Sequence, residues 1–435
     1  MDFRPDLSWE FLSSDEIEAK SVRAVRNHVR HIKEISPYYR ARLEPVNPED
    51  VTSLEDISSL PITPRDDLAS QSSQFVGTDY QNITETVLTT GTTGKALPFL
   101  YTCNDLDRIT FSTALSFHGI GITASDRVLI LLSLDRCSFD GMAQYRGAIM
   151  AGANTLRLGA GVTLPSVLQQ YMKFFKPTVL IGLPSQLQTL AAELKKNGYD
   201  TAKSPVTKIV AVGESVFTAD LAQNAVGKAL HEQWGALPFS LYSTTELAVH
   251  FGECSEHKGL HAHPELVYTE IVDDDGNPLP DGEIGELVAT PLGVEGVPLL
   301  RYRTGDMTFK VKGECSCGRN SIRIGPILGH RSQLFKYNGA VIYPLSLTNA
   351  LDGVEEVKDY LVILENDNKQ SDSVTIHVAA PPAALEKISQ AIKAATGVFI
   401  PSLVSNIPTI QSLRGGVKKK ISILDQRGKT VAVGV

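Results

Sequence analysis

The chain has 435 residues, of which 42% are hydrophobic and 21% are charged, and its formal net charge is −8. These values are ordinary for a globular protein of two or three domains, and the negative charge disfavours nucleic acid or an anionic membrane as the main partner. The first twenty residues lack an apolar stretch of signal-peptide type, and no apolar run is long enough to span a membrane. We therefore expect a cytoplasmic protein.

The first two thirds of the chain alternate between helix and strand patterns. A surface helix is predicted at 14–35, where Ser13 and Glu16 form a capping box. Between about 105 and 245, apolar strands such as "RVLILLSL", "PTVLIGL" and "TKIVAVG" alternate with helices, the last of them predicted at 218–234. This alternation predicts a parallel sheet covered by helices, and such sheets bind ligands at the carboxyl ends of their strands.

The last third has a different pattern. The segment "ELVYTEIVDDDGNPLPDGEIGELVAT" predicts strand, turn and strand, and beyond it come two more strands and an amphipathic helix at 383–396. We predict an α/β fold in two domains. Residues 1–328 form a large domain with a parallel, helix-covered sheet and a β-rich part, and residues 329–435 form a small α+β domain.

A loop rich in threonine and glycine, "TTGTTGK", occupies residues 89–95. Glycines let backbone N–H groups approach an anion, and hydroxyls and a lysine can complete the cage. The loop does not match G-x-x-x-x-G-K-[ST], because Thr89 stands at the first glycine position and Ala96 follows Lys95. It therefore predicts phosphate binding of another kind, and a plain surface turn is the alternative.

This loop is one of several short motifs that occur in a recognisable order. The others are "SPYYRARL", "LPITPRDDL", "IGLPSQ", "SLYSTTEL", "LLRYRTGD", "CSCGR" and "YNGAVIYP". Together they resemble the adenylate-forming, or acyl-CoA synthetase, superfamily over nearly the whole chain, and within it the phenylacetate–CoA ligase family. The resemblance implies an ATP-dependent ligase that makes an acyl-adenylate and then an acyl-CoA thioester. It implies ATP, Mg²⁺ and coenzyme A as cofactors and phenylacetate or a related aryl acid as substrate.

The resemblance assigns roles in the nucleotide site to individual residues. Tyr242 stacks on adenine, Thr245 contacts the α-phosphate, Glu246 binds Mg²⁺ and Asp306 binds the ribose hydroxyls. Such groups suit the reaction, because charge that develops on phosphate needs cations and donors, and a carboxylate is a hard Mg²⁺ ligand. The full predicted nucleotide-binding set is Thr90, Gly91, Thr92, Thr93, Gly94, Lys95, Gly213, Glu214, Ser215, Tyr242, Ser243, Thr244, Asp306, Arg323 and Gly339.

The family also has a catalytic lysine on a C-terminal loop of a mobile domain. The segment "VKKKISILDQR" offers Lys418, Lys419 and Lys420, and aligning Asp425 with the family's aspartate favours Lys419. Together with Glu246 and Thr245, Lys419 completes the predicted catalytic set.

The opening of the small domain departs from the family pattern. His330 stands where an arginine is usual, and Ser332 stands where the hinge has an aspartate. Contacts to the ribose then pass to Arg331 or Arg323, whereas Gly339 keeps the family's spacing.

The chain has five cysteines, and an odd number argues against a disulfide framework. Cys315 and Cys317 form a C-x-C pair, and Cys254 lies upstream among histidines. Three cysteines and one histidine make a closed, tetrahedral zinc site, which some members of the resembled branch carry. We predict His261 as the fourth ligand of a structural zinc, with His257 as the alternative. Ordinary reduced cysteines are the less specific interpretation.

The acid pocket is placed by resemblance between residues 134–147 and 213–217. Its candidate walls are Phe139, Gly141, Met142 and Tyr145. An aromatic and methionine lining favours a planar apolar acid, but it is equally typical of a helix core.

Other functions stay open. The acyl group could pass to a carrier protein or another acceptor instead of CoA, or the protein could bind nucleotide without catalysis. A homodimer is left open as the assembly. A zinc-ribbon nucleic-acid binder is disfavoured by the negative charge.

Overall fold

The computed structural model describes residues 9–89, 97–134, 139–159, 165–338, 340–367, 371–414 and 422–427. The chain divides into two compact units, one of residues 1–217 and 227–326 and the other of residues 218–226 and 327–435. In the described ranges, no helix combines the length and the apolar character needed to cross a membrane.

The first unit contains thirteen of the described strands and nine of the described helices. The helices are α1 (Ser14–Ile35), α2 (Pro37–Arg42), α3 (Leu54–Ser58), α4 (Arg65–Gln71), α5 (Cys103–Ile120), α6 (Asp140–Met150), α7 (Pro165–Phe175), α8 (Pro184–Lys196) and α9 (Ala225–Trp234). The strands are β1 (Ile83–Leu88), β2 (Pro98–Thr102), β3 (Arg127–Ile130), β4 (Asn154–Arg157), β5 (Val179–Gly182), β6 (Lys208–Val212), β7 (Leu237–Thr244), β8 (Val249–Gly252), β9 (Leu260–His261), β10 (Val267–Val272), β11 (Ile284–Pro291), β12 (Tyr302–Phe309) and β13 (Arg323–Ile324).

An eight-stranded sheet forms the centre of this unit, in the order β4-β3-β5-β6-β7-β8-β9-β13. The first five of these strands are parallel, and β8 and β9 continue the sheet antiparallel. Alternate residues of a strand point to one face, and here they are β-branched and buried. The pairs that build this apolar face are Val128 and Ile130, Val179 and Ile181, and Val210 and Val212. The parallel, helix-covered sheet confirms the predicted α/β class.

A second sheet, with the strands β10, β11 and β12 in antiparallel order, supplies the predicted β-rich part of this unit. Helix α1 also agrees with its prediction, because the Ser13 hydroxyl accepts from the Glu16 N–H and the Glu16 carboxylate accepts from the Ser13 N–H.

The helix that we predicted at 218–234 begins later, at Ala225. Residues 218–222 form a turn instead, closed by a hydrogen bond from the Thr218 N–H to the Ala222 carbonyl. Within it, Leu221 has a φ of 64°, which a helix does not permit. The apolar residues that extended the prediction therefore belong to a loop.

The second unit contains β14 (Gly329–His330), β15 (Phe335–Tyr337), β16 (Ala340–Ile342), α10 (Pro344–Asp352), β17 (Asp359–Asp367), β18 (Ser371–Ala379), α11 (Leu385–Thr396), β19 (Ser402–Val404), α12 (Ile407–Leu413) and β20 (Ile423–Asp425). Its main sheet has the order β19-β18-β17-β20, with an antiparallel central pair and a parallel strand on each side. Helix α11 ends at Gly397, whose φ of 77° suits a glycine cap. This α+β architecture also agrees with the prediction.

Candidate functional site

Two strands bring the predicted nucleotide residues together. Strand β7 is the last parallel strand of the large sheet, and its carboxyl end carries Tyr242 and leads directly to Glu246. Strand β12 carries Asp306. The Tyr242 hydroxyl donates a hydrogen bond to an Asp306 carboxylate oxygen over 2.7 Å. The site therefore lies at the sheet edge where ligands of parallel sheets bind.

The environment of Asp306 sets its charge. Burial raises the pKa of Asp306 to about 6, and the nearby Glu246 charge acts in the same direction. The Tyr242 hydrogen bond and the Arg65 charge oppose this rise. Burial also raises the pKa of Tyr242, so its hydroxyl stays protonated and remains a donor. Asp306 consequently changes its charge close to neutral pH.

Glu246 is held by an arginine to which the sequence assigned no role. Arg65 is the first residue of α4, and its guanidinium Nη1 lies 2.6 Å from Glu246 Oε1 and 3.3 Å from the Tyr302 hydroxyl. The Glu246 side chain is only 7% exposed, so this ion pair compensates a nearly buried charge. The motif "LPITPRDDL" pointed to this segment without indicating the partner. We call Arg65, Tyr242, Glu246 and Asp306 the nucleotide cluster.

Thr245 and the pocket segment adjoin the nucleotide cluster through two aromatic residues. The Tyr101 hydroxyl donates to the Thr245 carbonyl over 2.6 Å, and the Tyr101 ring meets the Phe139 ring edge-on at 5.8 Å. Ser243 Oγ lies 3.5 Å from the Asp140 carboxylate at the start of α6. The first turn of α6 is thus packed beside the end of β7, as an acid pocket next to the nucleotide requires.

The other three candidate pocket residues differ in their surroundings. A Cβ on Gly141 would lie 2.2 Å from the Ser133 carbonyl oxygen, so only glycine fits there. Met142 is half-buried. Tyr145 packs against the apolar core of the large sheet, and the Arg157 guanidinium lies 4.2 Å above its ring. These contacts favour a core role for Tyr145 over a pocket role.

The segment "VGES" follows β6 as predicted, but its side chains have local partners. Gly213 has a φ of 75°, which glycine adopts without strain. The Glu214 carboxylate accepts from the N–H and the hydroxyl of Ser185 at the start of α8. The Ser215 hydroxyl donates to the Phe217 carbonyl. The Glu214 carboxylate is therefore engaged locally, and the backbone is the part of this segment that remains a candidate for nucleotide binding.

Some predicted residues lie outside the described ranges. They are Thr90, Gly91, Thr92, Thr93, Gly94, Lys95, Gly339 and Lys419. The two ends of the Thr/Gly loop are nevertheless joined, because the Thr89 and Leu97 backbones bond to each other and the Thr89 hydroxyl accepts from the Leu97 N–H.

Arg323 was predicted to contact ribose, and the structure gives it different partners. Its guanidinium donates to the backbone carbonyls of Lys258, Lys312 and Gly313. Strand β13, which contains it, pairs with β9. We therefore leave Arg323 out of the proposed nucleotide site, because its donors already hold the loops around the cysteines.

Four sulfur and nitrogen donors meet next to these loops. The ligand atoms of Cys254, His261, Cys315 and Cys317 all lie within 4.8 Å of one another. The Sγ atoms of Cys254 and Cys315 are 3.6 Å apart, as are Cys317 Sγ and His261 Nε2. In a tetrahedral zinc site with Zn–S bonds of about 2.3 Å, neighbouring ligand atoms lie about 3.8 Å apart. The two distances of 3.6 Å are compatible with such an ion. We call these four residues the Cys/His cluster.

The histidine of this cluster is oriented by a neighbour. His261 Nδ1 lies 3.0 Å from Ser321 Oγ, which leaves Nε2 directed at the sulfurs. Burial lowers the pKa of His261 to about 3, so the ring is neutral, as a metal ligand must be. The alternative, His257, instead packs against Phe239, with ring centroids 4.4 Å apart. The structure thus brings His261, and not His257, to the cysteines.

A buried ion network braces the Cys/His cluster from the N-terminal side. Glu10 contacts His263 Nδ1 at 2.6 Å and the Arg319 Nε at 2.7 Å, and all three residues are buried. Sequence reasoning missed this network, since its members are separated by up to 309 positions and share no local pattern.

The model of the family described as AMP-binding enzyme matches residues 42–294. The phenylacetate-coenzyme A ligase of Thermus thermophilus is 28% identical, and the alignment covers 100% of this chain and 95% of the relative. The enzyme of that name from Escherichia coli is 24% identical, with 93% of this chain and 94% of the relative covered.

Solved structures show the same fold. A 2-hydroxyisobutyryl-CoA ligase in the postadenylation state with 2-HIB-AMP has a TM-score of 0.83 at 20% identity and covers 96% of this chain and 91% of its own. Its complex with 2-HIB-AMP and CoA in the thioesterification state has a TM-score of 0.68 at 22% identity, with 97% and 92% covered. These likenesses establish an adenylate-forming ligase fold. Because the family model spans more than half of the 435 residues, the chain belongs to the AMP-binding enzyme family.

Proposed function

We propose that this AMP-binding enzyme is an ATP-dependent, AMP-forming acid–CoA ligase. In the first half-reaction a carboxylate attacks the α-phosphate of ATP, and pyrophosphate leaves. In the second half-reaction the CoA thiol attacks the acyl-adenylate, and AMP leaves. The observation that carries the proposal is the nucleotide cluster at the carboxyl end of β7, which supplies an aromatic ring, two carboxylates and a guanidinium in one place.

The cluster residues suit distinct parts of ATP. The ionised Asp306 can accept both ribose hydroxyls, and the Tyr242 hydroxyl fixes its orientation. The Tyr242 ring offers a flat apolar face for adenine. The predicted loop residues Thr90–Lys95 would hold the outer phosphates, and Lys419 would reach the carboxylate–phosphate junction.

Glu246 is the proposed Mg²⁺ ligand of the cluster. Its carboxylate is a hard oxygen donor, and it lies one residue beyond Thr245, the proposed α-phosphate contact. A bound Mg²⁺ would neutralise phosphate charge as pyrophosphate leaves. Among the described residues of the cluster, Glu246 and Asp306 are the carboxylates that could contribute to such a site.

A small aryl acid is the proposed substrate. The curated relatives are named for phenylacetate, and the Phe139 ring lies beside Tyr101 next to the nucleotide cluster. The close packing of Gly141 against the Ser133 carbonyl would hold the start of α6, and with it the aromatic wall, in place beside a flat acid.

The Cys/His cluster is proposed to hold a structural zinc ion. Four protein donors close the coordination sphere of zinc, and no position is left for a reacting water. The ion would link the loop around Cys254 to the loop around Cys315 and Cys317. It takes no part in the reaction.

The test of the function uses both half-reactions. We expect acid-dependent exchange of pyrophosphate into ATP with phenylacetate or benzoate, and acyl-CoA with AMP as products once CoA is added. Exchange without acyl-CoA would favour a carrier protein or another acceptor. Nucleotide binding without exchange for any acid would contradict the ligase assignment. Hexanoate and acetate complete the set of acids and test the aryl preference.

A further inference from the structure

The contact between Arg65 and Glu246 conflicts with the role proposed for Glu246. An arginine Nη1 at 2.6 Å occupies the same carboxylate that is proposed to bind a divalent cation. The second oxygen of Glu246 could still take a cation, but that cation would lie within a few ångströms of the guanidinium and would be repelled by it. The two positive groups therefore compete for the carboxylate.

Arg65 is the partner that is able to move. Its side chain is 27% exposed, whereas that of Glu246 is 7% exposed. Arg65 opens a short helix, α4, and its side chain reaches the carboxylate from the more open side, next to the Tyr302 hydroxyl. A long side chain at a partly open position can swing without rebuilding the core.

Binding of MgATP would both weaken the contact of Arg65 with Glu246 and supply a new partner for its guanidinium. Arg65 would be repelled from Glu246 if the carboxylate held Mg²⁺, and its guanidinium could then donate to the phosphate oxygens of ATP. A guanidinium binds phosphate through two parallel hydrogen bonds, so the exchange replaces one charged partner by another.

We infer that Arg65 is the resident counter-ion of Glu246 in the nucleotide-free enzyme and is transferred to the ATP phosphates when Mg²⁺ takes the carboxylate. This inference rests on the proposed nucleotide site. It makes metal binding dependent on nucleotide, because free Mg²⁺ must compete with an arginine that is tethered in place.

The experiment measures two binding constants without turnover. Mn²⁺ replaces Mg²⁺, and its binding to the nucleotide-free protein is followed by electron paramagnetic resonance. Binding of MgATP in the absence of acid is followed by calorimetry. For Arg65→Ala we expect Mn²⁺ to bind about tenfold more tightly and MgATP about tenfold more weakly, because a competitor and a phosphate contact are lost together.

Control variants separate this exchange from other roles. Arg146→Ala removes a comparably exposed arginine paired with Asp107, and it should leave both constants within about twofold. Adding Glu246→Gln to Arg65→Ala should abolish the gain in Mn²⁺ affinity. Arg65→Lys keeps the positive charge but loses the planar guanidinium. Its Mn²⁺ and MgATP binding constants should lie between those of the wild type and Arg65→Ala. Arg65→Gln takes the place of the alanine variant if that variant does not fold.

Opposite changes in the two constants, with the gain in Mn²⁺ affinity lost in the Glu246→Gln background, are the result that supports the inference. A purely structural arginine would weaken both ligands, and a bystander would change neither, so either result overturns the inference. If the wild-type enzyme shows no acid-dependent exchange with any acid but the two constants still move in opposite directions, the ligase proposal fails while the exchange at Arg65 stands.

Discussion

The nucleotide cluster and the Cys/His cluster are two polar sites in the same unit, and they differ in charge pairing and in exposure to solvent. In the nucleotide cluster the charged groups are partnered by one another, and Arg65 is partly exposed. In the Cys/His cluster Cys254, His261 and Cys315 are buried, and the four donor atoms lie within 4.8 Å of one another.

The difference shows how a site that exchanges ligands can be told from one that keeps its ligand. Partners such as Arg65 and Tyr242 satisfy the carboxylates until substrate arrives, so the cluster is stable when empty. Three sulfurs and a neutral imidazole form only weak hydrogen bonds with one another, so the proposed zinc ion would be the main partner of these donors. We expect substitutions in the first cluster to change activity and substitutions in the second to change stability.

The largest effect is expected for Glu246→Gln. Loss of this charge should lower the rate of acid-dependent pyrophosphate exchange by about 10²–10³, since one group that stabilises developing charge is removed. The free energy of unfolding should change by no more than about 1 kcal/mol, because the partner Arg65 can turn to solvent. Kinetics and chemical denaturation measure the two quantities.

The matched control is Glu270→Gln. Glu270 forms a two-point ion pair with Arg301, and both side chains are at most 3% exposed. Its loss should cost about 3 kcal/mol of stability, since the buried guanidinium keeps its bonds to backbone carbonyls but loses its counter-charge, and should leave exchange by the folded enzyme nearly intact. The comparison between the clusters breaks down if Glu246→Gln destabilises the protein as much as Glu270→Gln does.

The next effect concerns the Cys/His cluster. Cys317→Ser should reduce zinc content from about one ion per chain and lower the free energy of unfolding by several kcal/mol, because a metal that binds only the folded state stabilises it. Metal analysis and thermal melting provide the measurements. Cys103→Ser, at an exposed cysteine outside the cluster, should change neither. A metal-free protein of unchanged stability would show that the cluster is only a group of reduced cysteines.

A smaller effect follows from the pKa of Asp306. Because burial raises that pKa to about 6, the carboxylate is mostly protonated below pH 6 and mostly ionised above it. Only the ionised form accepts both ribose hydroxyls, so kcat/KM for ATP should rise by about tenfold from pH 5 to pH 7. Asp306→Asn should be less active and should lose this component of the pH profile. An identical profile in both proteins would remove Asp306 from nucleotide binding.

Sequence reasoning found features that depend on local patterns. The alternation of apolar strands with helices predicted the large parallel sheet, and the capping box predicted the start of α1. It did not predict contacts between residues that are far apart in the sequence. Arg65 and Glu246 are 181 residues apart, and only the fold brings α4 to the end of β7.

The sequence favoured His261 over His257, and the structure shows which contacts make the difference. His257 is closer in sequence to Cys254, but its backbone has a φ of 53° and its ring turns toward Phe239. His261 lies in β9, which pairs with β13, and this pairing holds it beside the cysteines. No local pattern contains the information that strand pairing provides.

The smallest effect should distinguish pocket from core along α6. Phe139 touches Tyr101 beside the nucleotide cluster, whereas Tyr145 packs on the core of the large sheet. Phe139→Leu should therefore change the ranking of phenylacetate, benzoate, hexanoate and acetate by a few fold, because an apolar pocket discriminates by only about 1–3 kcal/mol per methylene-sized change. Tyr145→Leu should lower the melting temperature and leave the ranking unchanged. Acid-dependent AMP formation by each variant measures the ranking. If Tyr145→Leu alters selectivity and Phe139→Leu does not, the acid enters further along α6, and the wall of the pocket lies nearly two turns beyond the residue that contacts Tyr101.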